Sequence, residues 1–329
     1  MASQNPSRSA NWHPNRVGYH RLAMLLCGAT VVLLAAGALV VGTGSSLAVP
    51  DWPLAYGQFF PPMVGGILFE HGHRMIAGTV GVLTLLLTAW VLAREPRRWV
   101  RWLSVGALGA VVLQALLGGI TVLLLLPKPI SIGHALLAQL FFALTVLLAQ
   151  VTAPEWGPLP ASRQPGSVRL AGIVTLAALE LELLLGAMVR HFNAGLAIPD
   201  FPLAFGRLAP PLDTFAIQIH FFHRLGALVV VVLVLGTGVL ALHRHRADRP
   251  LMWRAAAMVA FLVAQVCLGG LVIWTQRGLA ITTLHVVNAA LLVGSTVLVT
   301  VRAWLLEAPL PAQVAADARS TRPLYSGAP

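Results

Sequence analysis

The sequence predicts an all-α integral membrane protein with eight transmembrane helices, arranged as two tandem pseudo-symmetric four-helix bundles with both termini in the cytoplasm. Three observations support this fold class: an apolar composition, eight long apolar segments and an internal duplication. Hydrophobic residues make up 57% and charged residues 10% of the 329 positions. Such a chain has too little polar surface to cover a water-soluble globule of this size, so the lipid bilayer is its expected solvent.

Eight apolar segments of roughly 20 residues or more are each long enough to cross a hydrocarbon core of about 30 Å as a helix. Polar residues precede the first segment and seven further segments follow it, so we expect it to be retained rather than cleaved as a signal peptide. In chain order the predicted spans are 21–43, 67–92, 101–126, 131–153, 169–189, 216–242, 252–275 and 280–305.

Basic residues predict the orientation of these spans. With a cytoplasmic N-terminus, the inside segments hold sixteen arginines, whereas the outside segments hold Lys128, Arg190, Arg207 and Arg277. Because cytoplasmic loops of membrane proteins are enriched in Lys and Arg, this bias places both termini in the cytoplasm of a multi-pass cell-membrane protein. The formal charge of +11 has the same origin, so no nucleic-acid partner is expected.

The chain contains an internal duplication. Residues 44–62 read GSSLAVPDWPLAYGQFFPP and residues 193–211 read NAGLAIPDFPLAFGRLAPP, with identical residues at ten of nineteen positions. Further matches follow in order, such as QALLGG (114–119) and QVCLGG (265–270). An even number of spans per copy gives both copies the same orientation, as in a parallel repeat.

The duplication also defines the predicted domains, since each copy holds four spans and a segment rich in Pro, Gly and Ser joins them. The predicted parts are an N-terminal tail (1–20), an N-terminal four-helix unit (21–153), a linker (154–168), a C-terminal four-helix unit (169–305) and a C-terminal tail (306–329). The tails and the linker are expected in the cytoplasm.

Four histidines survive the duplication: His73, His134, His223 and His285, on predicted helices 2, 4, 6 and 8. The separation within a pair is 61 residues in one half and 62 in the other. All four helices run from outside to inside in the predicted topology, so the histidines lie at similar depth toward the extracytoplasmic side. A single histidine in an apolar helix is more often a hydrogen-bonded structural residue, but two equivalent pairs favour ligands.

Paired imidazoles indicate a haem. Two helices of a bundle can present one imidazole nitrogen to each face of a flat macrocycle, so that two protein ligands complete the iron coordination. Zinc or copper would require a third or fourth ligand in each half, and no cysteine is duplicated. A haem therefore fits the pattern better than a directly bound metal ion.

Neighbouring residues agree with a haem site. Arg74 and Arg224 directly follow a candidate ligand near the outer surface, where a guanidinium can pair with a haem propionate. The alternative is an arginine that merely extends to the membrane interface. Glycine pairs at 118–119 and 269–270 would allow close helix contact or leave room for a porphyrin.

The remaining histidines and cysteines are not predicted to bind metal. Cys27 and Cys267 lie in apolar runs and are interpreted as small buried hydrophobic residues. His243 and His245 lie in a basic cytoplasmic loop and are expected to be solvated. His191 has no counterpart in the other copy and is left without a role.

The two copies differ beside the first histidine of each pair. Glu70 lies three residues before His73, on nearly the same helical face, whereas the residue three before His223 is His220. A carboxylate beside one pair only suggests chemistry in the N-terminal half and electron transfer in the C-terminal half. The alternative is a purely structural salt bridge between Glu70 and Arg74.

Two glutamates fall in the middle of predicted helix 5. Glu182 begins ELLLG (182–186), which parallels QALLG (114–118) and QVCLG (265–269). We therefore expect Glu182 to replace a glutamine, to face the bundle interior and to stay protonated. Glu180 has no such parallel, and both glutamates are interpreted as structural rather than catalytic.

Together these motifs resemble the haem A synthase family. The features are ExxHR at 70–74 with a second HR at 223–224, the repeated PD[WF]PLA[YF]G loop, and single histidines at positions 134 and 285. The resemblance covers about residues 20–305. Many family members have a cysteine pair in the first of the two loops; residues 44–66 contain none here, so a redox role of that pair cannot operate.

The resemblance implies oxidation of the C8 methyl of haem O to a formyl group, through successive hydroxylations, which gives haem A for terminal oxidases. It implies a haem B cofactor at His223 and His285, the substrate haem at His73 and His134, and an essential glutamate at Glu70. The implied partners are haem O, membrane lipid, haem O synthase, the terminal oxidase assembly machinery and an electron partner that the sequence does not identify.

Two other functions remain open from the sequence. One is a non-enzymatic dihaem b-type cytochrome that transfers electrons, and the other is a haem carrier or oxidase-assembly factor. Glu70 discriminates between them and an enzyme, because a protein that only binds haem or transfers electrons does not need a carboxylate beside one pair.

Overall fold

The structure is a computed structural model that describes residues 15–154, 156 and 166–307. Within these residues the chain forms eight α-helices, each long and apolar enough to cross a membrane, which confirms the all-α class and the eight predicted spans. In chain order the helices are α1 (Asn15–Gly42), α2 (Gly66–Arg94), α3 (Arg98–Leu123), α4 (Lys128–Thr152), α5 (Ser167–His191), α6 (Phe215–His245), α7 (Arg249–Trp274) and α8 (Leu279–Glu307).

The outer surface of the helices is apolar, as contact with lipid requires. Leu25 is 58% exposed, Leu228 is 62% exposed and Val232 is 69% exposed. Hydroxyl side chains lie inside instead, where Thr84 and Thr296 donate to backbone carbonyls one turn earlier in their own helices. Since lipid offers no hydrogen bonds, this distribution suits a bilayer and not water.

The end of α3 shows where hydropathy fails to locate a helix boundary. The apolar run continues to position 126, but α3 ends at Leu123. Leu125 and Leu126 have φ angles of 56° and 62°, in the left-handed region that an α-helix cannot continue. Gln276 and Arg277 adopt the same conformation after α7, with φ angles of 51° and 66°. Backbone conformation rather than polarity therefore ends α3, whereas polar residues at positions 275–277 follow the end of α7.

The end of α6 corrects one sequence-based expectation. His245 is not solvated: it is 8% exposed, and its Nε2 lies 3.1 Å from Glu307 Oε1. The physical reason is that α6 extends three residues beyond the predicted limit of 242, so that its last turn packs against the end of α8. His243, on the other side of that turn, is exposed as expected.

Helix packing places α4 and α8 at the centre of the molecule. In the first half α1 and α3 each contact both α2 and α4, and in the second half α5 and α7 each contact both α6 and α8. Between the halves α4 contacts α5 and α8, and α1 contacts α8. The helices that carry His134 and His285 are therefore in direct contact with each other across the two halves.

Candidate functional site

The four histidines occupy matching places on α2, α4, α6 and α8. Each is the seventh to ninth residue of its helix. His73 and His134 are close enough to interact electrostatically, and so are His223 and His285. The structure therefore brings the sequence-predicted residues together as one pair in each half.

A glycine on the preceding helix makes room for each of these imidazole rings. A Cβ atom added to that glycine would lie only 3.1–3.4 Å from Cε1 of the histidine, tighter than or at the limit of ordinary contact. Without a side chain the ring packs directly against the backbone of its neighbour. The four pairs are Gly37 with His73, Gly118 with His134, Gly186 with His223, and Gly269 with His285.

The second glycine of each predicted glycine pair has a different neighbour. A Cβ at Gly119 would lie 2.7 Å from Cδ2 of Trp52, and a Cβ at Gly270 would lie 3.0 Å from Cδ1 of Phe201. Trp52 and Phe201 occupy the same position of the repeated loops (residues 44–62 and 193–211). Each glycine pair thus accommodates one histidine ring and one aromatic ring of the loop.

Arg74 and Arg224 hold the repeated loops against the helices. Arg74 donates through Nη1 to the carbonyls of Asp51 (2.7 Å) and Leu54 (2.9 Å), and through Nη2 to that of Val49 (3.2 Å). Arg224 donates to the corresponding carbonyls of Leu203 (2.8 Å) and Ile198 (3.1 Å). These guanidinium groups already bind protein oxygens, and their pairing with propionates stays a prediction.

Glu70 is a buried carboxylate one turn before His73. The residue is 4% exposed, its Oε1 lies 2.6 Å from Arg74 Nη2, and its Oε2 accepts a hydrogen bond from the Val49 amide at 2.9 Å. The salt bridge with Arg74, which is the structural alternative to a catalytic role, is therefore present. The catalytic role of Glu70 stays a prediction.

His220 replaces Glu70 in the second half and lies beside the same two kinds of neighbour. Its Nδ1 accepts from the Ile198 amide at 3.3 Å, and its Nε2 lies 3.3 Å from Arg224 Nε. An uncharged imidazole has only one acceptor nitrogen, so with Nδ1 holding the loop amide, Nε2 carries the ring proton. The residue at this place is thus a carboxylate in the first half and an imidazole in the second.

Glu182 faces the bundle interior, as its sequence parallel suggested. Its Oε1 lies 2.7 Å from His223 Nδ1. The corresponding glutamines also reach the neighbouring histidines: Gln114 Nε2 donates to the backbone carbonyl of His134 at 2.9 Å, and Gln265 Nε2 lies 3.3 Å from His285 Nε2. The protonation state expected for Glu182 is not tested by these contacts.

The four histidines suit a cofactor that already contains its metal. The Nδ1 atom of each of the four histidines is buried without a completed hydrogen bond. Among the described residues no group of three or more His, Cys, Asp or Glu side chains could hold a metal ion directly. A haem needs only two axial nitrogens, so pairs of otherwise unsatisfied imidazoles fit it.

Sequence reasoning missed several residues around the site. His71, which is 5% exposed, has its Nε2 2.9 Å from the Phe59 carbonyl and so helps to hold the first loop. Asn288 donates to Gln265 Oε1 at 2.8 Å and fixes that amide. Gly37 and Gly186 were also missed, although they are separated by the same 149 residues as the repeated loops and that signal could have found them.

The fold and the site together define a class: a helical protein with eight candidate membrane spans and one partly buried histidine pair in each half. The chain belongs to the COX15-CtaA family of cytochrome oxidase assembly proteins, whose pattern matches residues 64–297. This confirms the family to which the sequence motifs pointed.

Curated relatives agree with the family match. The haem A synthase of Shouchella clausii is 30% identical over 285 residues, which cover 84% of this chain and 92% of that protein. That of Symbiobacterium thermophilum is 34% identical over 262 residues, covering 76% and 84% of the two chains. That of Geobacillus kaustophilus is 29% identical over 290 residues, covering 84% and 86%.

Proposed function

We propose that this chain acts as a haem A synthase, an oxidoreductase that converts the C8 methyl of haem O to the formyl group of haem A. The family match and the haem A synthase relatives support this activity. The structural observation that carries the proposal is the histidine pair in each half, with a carboxylate, Glu70, one turn before the first histidine of one pair and an imidazole, His220, at the same position beside the other.

The two pairs have different ligands in this proposal. His223 and His285 hold a resident haem B, and His73 and His134 hold the substrate haem O and its product. When bound, the resident haem supplies a one-electron redox centre. The matching positions of the four rings and the glycine that faces each ring support imidazole as the ligand in all four places.

Glu70 places a negative charge beside the substrate pair. Arg74 and the Val49 amide fix both of its oxygens, so its position is set before substrate arrives. A fixed carboxylate at that point stabilises positive charge that develops at the substrate methyl, or accepts a proton from it. The surrounding apolar helices exclude water and give the isoprenoid tail of haem O an apolar environment.

We also propose that the eight helices form two tandem pseudo-symmetric bundles, residues 21–153 and 169–305, with the linker, both tails and both termini in the cytoplasm. Equivalent helix contacts in the two halves and equivalent histidine environments support the repeat. The concentration of arginine in the proposed cytoplasmic segments supports the orientation, which puts the haem sites toward the extracytoplasmic side.

The proposed partners follow from the reaction. Haem O arrives from haem O synthase within the bilayer, haem A leaves toward the terminal oxidase assembly machinery, and an electron partner exchanges electrons with the resident haem. All of these exchanges are compatible with a site enclosed by membrane-spanning helices.

Extraction and chromatography of haems tests the function. The intact protein is expressed beside a haem O supply in a host that makes no haem A. Haem A or its hydroxylated intermediate is expected, and it should be lost in the His73→Ala and His134→Ala variants. Recovery of haem B alone, with haem O unchanged, would favour a dihaem cytochrome; reversible haem exchange without a modified product would favour a carrier.

A further inference from the structure

We infer that Glu182 is a positioning residue that binds the Nδ1 side of His223 and thereby lowers the reduction potential of the resident haem. The inference rests on the proposed function, because it takes His223 as a ligand of that haem. It adds a role for Glu182, which is not itself a ligand and was interpreted from sequence as merely structural.

The contact is short and partly buried. Glu182 Oε1 lies 2.7 Å from His223 Nδ1, with 13% of the Glu182 side chain and 24% of the His223 side chain exposed. The ring N–H is not directed straight at this oxygen, so a small rotation of the ring or the carboxylate completes the hydrogen bond. With Nδ1 occupied in this way, Nε2 of His223 is the nitrogen left for iron.

The chain makes room for this carboxylate in the second half only. A Cβ at Gly226 would collide with Glu182 Oε2, so a larger residue there would displace the carboxylate. The positions that match Glu182 and Gly226 in the first half are Leu33 and Ile76. The two positions differ together between the halves. The second half has a carboxylate and a glycine, and the first half has two aliphatic side chains.

No other member of the four has a carboxylate partner among the described residues. His134 receives a glutamine at its backbone carbonyl, and His285 has the amide of Gln265 at 3.3 Å from Nε2. His73 has no side-chain hydrogen-bond partner in the described part of the chain; Leu33 occupies the position of Glu182, and its backbone rather than its side chain interacts with the His73 ring. Among the four histidines, only His223 therefore has a carboxylate beside its ring.

An acceptor at Nδ1 changes what the imidazole does to iron. It fixes the tautomer and orientation of the ring and increases electron donation from the other nitrogen. Stronger donation favours the oxidised iron and lowers the reduction potential. The effect is larger in an apolar interior, where water does not weaken the hydrogen bond. A resident haem of low potential passes electrons onward more readily than it holds them.

Redox titration of the purified holoprotein tests the inference, with the visible spectrum of the resident haem as readout. Glu182→Leu copies the first half and should shift the midpoint potential to more positive values while the b-type spectrum is retained. Glu182→Gln keeps the shape and a weaker acceptor, and should give an intermediate shift. Potentials equal to that of the unmodified protein in both variants would overturn the inference.

A reciprocal transfer keeps the test decisive if Glu182→Leu loses haem. The double variant Leu33→Glu/Ile76→Gly gives His73 the same neighbours that His223 has, and should lower the potential of the haem held by the first half. An intermediate shift in Glu182→Gln together with a lowered potential in Leu33→Glu/Ile76→Gly supports the inference. An unchanged potential in both of these variants contradicts it.

The His223→Ala variant separates the two possible failures. If it keeps the resident haem with an unchanged spectrum, His223 is not a ligand and the haem assignment of the proposed function fails. If it loses that haem while Glu182→Leu and Glu182→Gln keep the original potential, only the role of Glu182 fails.

Discussion

Glu70 and His220 make equivalent contacts in the two halves of the chain. Each accepts a hydrogen bond from the amide of the same loop position, Val49 or Ile198, and each contacts the arginine that follows one turn later. Since a neutral imidazole holds the second loop in this way, holding the loop does not require a negative charge. The charge of Glu70 is therefore available for a role that His220 does not have.

The variant Glu70→His should separate structure from catalysis. The imidazole should keep the hydrogen bond from the loop amide, as His220 does in the other half, while it removes the carboxylate and its salt bridge with Arg74. We expect normal accumulation and haem binding but a loss of haem A formation of at least about 100-fold, the lower end of the range for acid–base catalysis. The measurement is haem A produced per protein from supplied haem O.

Glu70→Leu provides the control, because it removes both the charge and the loop contacts. Faster proteolysis of the first loop is expected in Glu70→Leu and not in Glu70→His. Haem A formation at the original rate by Glu70→His would show that the carboxylate acts only as a structural contact.

Gly37 should be intolerant of a side chain, although alanine generally favours helices by up to about 1 kcal/mol. In Gly37→Ala the new Cβ would lie 3.1 Å from His73 Cε1, so the ring must move by a few tenths of an ångström. We expect reduced retention of substrate haem. Gly28→Ala, on the same helix with nothing within 4 Å of the new atom, is the matched control and should retain haem normally. Equal haem content in the two variants would contradict a packing role for Gly37.

Gly119 and Trp52 should behave as a coupled pair. Gly119→Ala brings a methyl group to 2.7 Å from the indole and should cost about 1–3 kcal/mol by overpacking. In the second half a phenylalanine fills this place, and the equivalent contact is 3.0 Å. Trp52→Phe should therefore recover part of the stability lost in Gly119→Ala, which thermal unfolding in detergent can measure as a double-mutant cycle. Additive effects of the two substitutions would mean that the rings and the glycine do not interact.

Glu95, between α2 and α3, should make the stability depend on pH. Burial raises the pKa of this carboxyl, but hydrogen bonds from the side chain and backbone of Arg97 and from Tyr19 outweigh it and lower the pKa to about 2 from an ordinary value of 4.5. The contribution to stability is therefore complete above about pH 4.5 and is lost as the pH falls toward about 2.

Thermal unfolding of the unmodified protein and of Glu95→Gln, in detergent at several pH values, tests this dependence. At pH 7 the variant should be less stable by about 1–3 kcal/mol, because buried partners lose an ionic acceptor. The difference should shrink between pH 4.5 and pH 2. A difference that stays constant over this range would show that the ionised carboxyl does not stabilise the fold.

The eight helices could be predicted from sequence because a span depends on the length and polarity of one local segment. Helix ends depend on backbone conformation instead, which is why the apolar run through Leu125 and Leu126 misled the prediction for α3. His245 was wrongly expected in solvent for a related reason: three additional residues of α6 were enough to bury it against Glu307.

The residues of the candidate site could be predicted from sequence only where they recur in the internal duplication. Recurrence identified the histidines and the Gln/Glu–Gly spacing that places Glu182 inside. It could not supply partners across helices, such as the contact of Glu182 with His223, since no local pattern specifies which neighbouring side chain a carboxylate meets. For Arg74 the sequence could not distinguish a propionate from loop carbonyls, because a guanidinium binds either oxygen.

Glu307 ends α8, and its carboxylate accepts hydrogen bonds from the amides of Val168 and Arg169 at the beginning of α5. The earliest helix of the second half therefore receives its N-terminal cap from the latest. During synthesis those two amides have no such partner until the ribosome has made α8 and the membrane has received it. Folding of the second half is thus complete only after the last turn of α8 has been made. A chain that stops shortly before Glu307 leaves α5 without this cap, and quality-control proteases can recognise such a helix end.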